Sequence, residues 1–142
     1  RQTGDLATAR KALFEHFRVR PARDVRTLPT ISPAEAAEVG DQVLASTFRL
    51  LEFPQVKLPE DLSWDEDPLK DRTWQWALHR MPFVAALTEQ YTSSGEPRYL
   101  GRAEGLIRDW VNDNHRYFHQ PPSRFAWHDH VTALRVRDWL PF

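Results

Sequence analysis

The segment from Asp71 to Thr88 constrains the fold more than any other. Placed on a helix, Trp74, Ala77, Met81, Val84 or Ala85, and Thr88 share one stripe, and Trp76, His79, Arg80 and Phe83 share the stripe beside it. So wide an apolar arc has to be covered from two sides, which predicts layers of helical hairpins and not a simple bundle. Thr92-Ser93-Ser94-Gly95-Glu96-Pro97 is a turn, and Pro97 opens a further helix to about Asn112 through Leu100, Ala103, Leu106, Ile107, Trp110 and Val111. The two helices form an antiparallel hairpin.

The rest of the chain supplies more of the same period. Asp5 is placed to cap a helix from Leu6 to Arg18, with Leu6, Ala9, Leu13 and Phe17 on one face, and the basic stretch Phe17 to Arg26 reads as a solvated linker after it. Ser32-Pro33-Ala34-Glu35 combines an N-cap, a proline at the first helical position and a reciprocal glutamate, so a helix is expected from there to about Leu51. Pro54, Pro59 and Pro68 then break an acidic connection from Glu52 to Asp71. Trp64, inside it, is either packed on the core or a flat platform for a sugar ring. No segment alternates convincingly as a strand does, so the expected fold is all-α, with about five helices and two long loops.

Composition narrows the function. A chain of 142 residues, 41% of them hydrophobic, is sufficient for one core. A net charge of -1 gives no general attraction to nucleic acid or anionic lipid, so an acidic ligand has to be held by local basic residues. Without cysteine there is neither a disulfide frame nor thiolate chemistry. No apolar run approaches the ~20 residues that span a bilayer. The start, lacking both a methionine and a signal-peptide core, gives the expectation that the chain is cut from something longer.

Site-like density is highest from Ser123 to Trp139. Read as one helix, that stretch puts Trp127, Val131, Leu134 and Leu140 on an apolar stripe and His128, Thr132 and Arg135 on a neighbouring face, until Pro141 stops it. His130 would then lie about 200° around the axis from His128. His115-x3-His119 and His128-x-His130 with Asp129 offer metal-ligand atoms, but the spacing is not diagnostic and no metal or other cofactor is assigned.

Taken in order, Trp64-x-x-Asp67-Pro68, Arg72-x-Trp74-x-Trp76-x-Leu78-x-Arg80, Tyr91-x3-Gly95-x3-Tyr99, Ile107-x-x-Trp110 and Trp127-x7-Arg135 with Trp139 resemble the N-terminal helical domain of heparinase II/III-like polysaccharide lyases. The resemblance is carried by about residues 60 to 142. It implies an incomplete (α/α) toroid, followed in a longer parent by further hairpins and a β-sandwich. It also implies a secreted or periplasmic setting, and β-elimination on an acidic polysaccharide such as a glycosaminoglycan or alginate. Carried over residue by residue, it makes Trp64, Asp67, Trp76, Arg80, Trp127, His128 and Arg135 the expected substrate-contacting set, with Arg80 and Arg135 facing uronate carboxylates. The alternative for each arginine is an ion pair with Asp67, Asp129 or Asp138. His128 and His130 are the only catalytic candidates, because the family's proton-transfer residues fall largely beyond this stretch. A non-catalytic helical domain that binds carbohydrate or a partner is the competing reading.

Overall fold

The computed structural model describes residues 31–115 and 123–139. The helix expected from Leu6 to Arg18, the basic stretch after it, His119, Leu140 and Pro141 lie outside those residues.

The first described helix, α1 (Pro33–Leu44), begins where Ser32 predicts. Ser32 Oγ accepts the Glu35 backbone N–H at 3.2 Å, satisfying one of the donors a helix start leaves open. The expected end at Leu51 is corrected to Leu44. Ser46 turns left-handed at φ 54°, and β1 (Thr47–Phe48) pairs antiparallel with β2 (Val56–Lys57), Phe48 opposite Val56. The cause is a period of two: Ser46, Phe48 and Leu50 are buried while Arg49 between them is exposed, a pattern no helix satisfies. This strand pair also corrects the expectation of no strand at all.

The proline-broken connection is anchored inward by Leu58, Leu62 and Trp64, all buried. It delivers Asp71 as the N-cap of α2 (Arg72–Arg80), with Oδ1 accepting the N–H groups of Thr73 at 2.7 Å and Trp74 at 3.2 Å. One helix was expected from Asp71 to the turn at Thr92; there are two. Met81 ends α2 in the left-handed region (φ 58°, ψ 49°), and α3 (Phe83–Ser94) starts after Pro82. A proline ring disfavours helical geometry in the residue before it and lacks an N–H, so the break falls there.

The wide apolar arc survives the break. Phe83 to Leu87 are five consecutive buried residues, so α3 is enclosed, with α1 on one side and α4 (Pro97–Asn114) and α5 (Asp129–Trp139) against others. Gly95, at φ 72°, closes α3 with its N–H on the Tyr91 carbonyl at 2.8 Å. Gly40 lets α1 approach α4: a Cβ there would lie 3.3 Å from the Tyr99 ring, whose hydroxyl donates to Asp41 at 2.7 Å.

The last helix starts at Asp129, not Ser123, and residues 124–127 form a turn. Its buried residues are Val131, Arg135 and Asp138, so the expected apolar stripe is corrected: Trp127 is off the helix and Leu134 is half-buried. Two charged residues face inward because the interior provides their partners.

Candidate functional site

Positions i, i+4 and i+8 of α2 put Arg72, Trp76 and Arg80 on one face, while Trp74 and Leu78 turn to the core. The 124–127 turn and His128 come down on that face. The His128 ring lies 4.6 Å from Trp76, centroid to centroid, and Phe125 meets Trp76 edge-on at 6.1 Å. Arg72 holds its guanidinium 5.9 Å from the centroids of both Trp76 and Phe125, and Arg124 holds its own 5.3 Å from Phe125. Phe125 is buried and fixed; Trp76 and His128 are half-buried; Arg72 and Arg124 are exposed. Asp129 Oδ1 lies 3.2 Å from His128 Nδ1 without hydrogen-bond geometry. That oxygen accepts instead the His130 backbone N–H, at 2.7 Å.

Behind this surface sits a buried polar knot. His79 is wholly buried: its Nδ1 accepts the Trp110 indole N–H at 3.1 Å and its Nε2 lies 2.7 Å from Ser123 Oγ. With Nδ1 used as acceptor, Nε2 carries the proton and donates to Ser123, so this pair is not a base activating a serine nucleophile. Burial, and then the Arg135 cation, lower the His79 pKa to about 4. Arg135 donates to the carbonyls of His79 at 2.7 Å and Ala126 at 2.6 Å, with its guanidinium 3.8 Å from the Trp110 centroid. Burial lowers its pKa to about 10. Asn114 closes the knot, accepting the Ser123 N–H through Oδ1 and the Trp127 indole N–H through its carbonyl.

Several expected contact residues are therefore structural. Trp64 is fully buried and donates to Asp109 at 2.9 Å, so the sugar-platform reading is corrected to core packing. Arg135 is 3% exposed and pairs with carbonyls, which corrects both the uronate-facing reading and the ion-pair alternative. Arg80 is in that alternative: its Nε donates to the buried Asp138 at 2.7 Å, beside the fork from Arg137. It borders an open cleft of about 580 Å³ near Val39, Phe53 and Pro82, with its charge already engaged. Asp67 Oδ1 holds the Asp71 N–H at 2.8 Å. Trp127 meets Trp110 at 5.4 Å while keeping 37% exposure, and His130 is exposed on α5. Trp76 and His128 are brought together. Among the described residues no group of three or more metal-ligating side chains converges.

Sequence reasoning missed His79 as a hub and missed Phe125, Arg72 and Arg124 as neighbours of Trp76. The Arg72–Trp76 spacing was a usable signal; Phe125 had none, because its partner lies on another element.

The family model described as heparinase II/III N-terminus matches residues 1–141. The chain belongs to this family. A heparin-sulfate lyase from Pedobacter heparinus is 24% identical over 148 residues, covering 97% of this chain and 22% of the relative. The fold is shared with a crystal structure of a heparan sulfate lyase mutant from Pedobacter heparinus (TM-score 0.72, 22% identity, 97% of this chain and 23% of that one). It is shared also with a heparinase III gene product with methylated lysines (TM-score 0.68, 23% identity, 93% and 24%). This heparinase II/III N-terminal chain thus spans less than a quarter of the length of these relatives.

Proposed function

We propose that the chain is the N-terminal part of a polysaccharide lyase that cleaves a uronic-acid-containing polysaccharide by β-elimination, and that it contributes one wall of the substrate groove. The family match over residues 1–141 carries the proposal. The name of the curated relative, a heparin-sulfate lyase, supports the substrate class. In this reading the chain forms the first hairpins of an (α/α) toroid, completed in the parent by further hairpins and a β-sandwich.

The groove contacts are Trp76 and His128, with Trp127 at the rim; Trp76 offers an apolar ring face to a pyranose. Abstraction of the uronate C5 proton needs a base, and the developing enolate also needs its carboxylate neutralised. The His128 ring lies 4.6 Å from Trp76 and His130 is exposed at the start of α5, an arrangement that favours saccharide contact for His128 over a role in proton transfer. The family resemblance implies that the base and the neutralising group lie largely in later helices of the parent, and in this reading His128 is a saccharide contact.

The test is growth of the ultraviolet absorbance of an unsaturated uronate when the full-length parent is given heparan sulfate, hyaluronan or alginate, with Trp76→Ala alongside. Growth with one polymer, weakened in the variant chiefly through KM, is expected. No growth with any of them refutes the lyase reading.

A further inference from the structure

Among the described arginines, Arg49, Arg80, Arg98, Arg108 and Arg137 are in ion pairs, and Arg102 and Arg135 donate to backbone carbonyls. Arg72 and Arg124 have neither an ion pair nor a hydrogen bond there, and their contacts are with aromatic rings. Arg72 also occupies the first position of α2, where the positive end of the helix dipole disfavours a cation, so its charge does not serve the helix. Both guanidiniums lie against Phe125, at 5.9 Å and 5.3 Å. That ring is buried at 4% exposure and set edge-on to Trp76, so its position is determined by the core. Two exposed cations thus lie against one buried ring beside Trp76, and neither is in an ion pair among the described residues.

We propose that Arg72 and Arg124 form an anion-recognition element that takes a charged group of an acidic saccharide, with Phe125 holding the two guanidiniums and Trp76 receiving the adjoining sugar ring. This rests on the lyase reading above and adds to it two residues outside the expected substrate-contacting set. A guanidinium offers planar donors that match a carboxylate or a sulfate, and stacking on an aromatic ring leaves those donors free at its edge. Exposed beside Trp76 and Phe125, the pair serves as a reader of charge and not as part of proton transfer.

The experiment uses the full-length parent with Arg72→Gln, Arg124→Gln, the double variant, and Arg108→Gln as a control for general loss of positive charge. Steady-state cleavage of heparan sulfate and of its desulfated form is measured, with the thermal midpoint of each protein. Each single variant is expected to raise KM about fivefold with kcat unchanged, as for exposed charge contacts, and Arg108→Gln to behave as wild type. If the defect disappears on the desulfated polymer, the recognised group is a sulfate; if it persists, it is the uronate carboxylate. Unchanged KM in the double variant, or a lowered thermal midpoint with unchanged KM, overturns the inference while the lyase reading stands. A parent that neither binds nor cleaves any acidic polysaccharide overturns both.

Discussion

Acidification should destabilise this chain through His79, and the size of the effect follows from the knot around it. His79 is buried with Nδ1 accepting from Trp110, beside the Arg135 cation. Adding a proton to Nδ1 would set two donors against each other and place two cations together. The folded pKa of about 4, against an ordinary 6.5, means that the unfolded chain binds the proton more readily. Stability from this group is complete above the unfolded pKa, falls as pH drops through the window between the two values, and levels off below about 4. Between pH 7 and pH 5 the loss from this one side chain is about 2 kcal/mol. His79→Gln keeps an acceptor and a donor but does not titrate. Urea unfolding followed by tryptophan fluorescence, at both pH values, should give a stability loss about 2 kcal/mol smaller in the variant. Comparing each protein with itself cancels any constant cost of the glutamine. It also cancels the carboxylates of Asp109 and Asp113, which burial and acidic neighbours raise and which act in the opposite direction. Equal losses in the two proteins would refute the assignment of a neutral, wedged histidine.

Arg135→Lys should destabilise the chain by about 2 kcal/mol or more, because lysine cannot donate in fork geometry to the His79 and Ala126 carbonyls while lying on Trp110; chemical denaturation with unchanged stability would contradict the structural role. Gly40→Ala, which in an open helix position would stabilise, should here cost about 1 kcal/mol, since the new methyl group meets a Tyr99 ring tethered to Asp41; a raised thermal midpoint would show that α1 and α4 can separate.

The legible part of the fold was the local part. Ser32, Asp71, Gly95 and Pro97 mark helix ends through backbone groups that each must satisfy or forgo, and the structure has ends at each of them. Two ends were misread although their signals were present, at Pro82 and in the Ser46–Leu50 alternation. At Pro82 the apolar content runs on through the break and masks it, and at Ser46–Leu50 the alternation is too short to stand out beside the helix before it. At the site, Trp76 and His128 were named from the sequence and lie together, whereas Trp64, Arg80 and Arg135 were named and turned inward.

The sequence by itself determined that the chain would be helical, where most helices begin, and that one of them would be enclosed, because periodicity and capping act within a few residues. Only the tertiary structure decided which charges are buried. Arg135 and Asp138 are polar residues of α5, yet Arg135 finds the His79 carbonyl on α2, the Ala126 carbonyl in the 124–127 turn and the Trp110 indole on α4, while Asp138 accepts from Arg80 of α2 and from its own neighbour Arg137. Arg72 and Arg124 read no differently, and the same packing leaves them exposed against Phe125. A side chain's partners depend on elements far along the chain, and residue type alone cannot specify them.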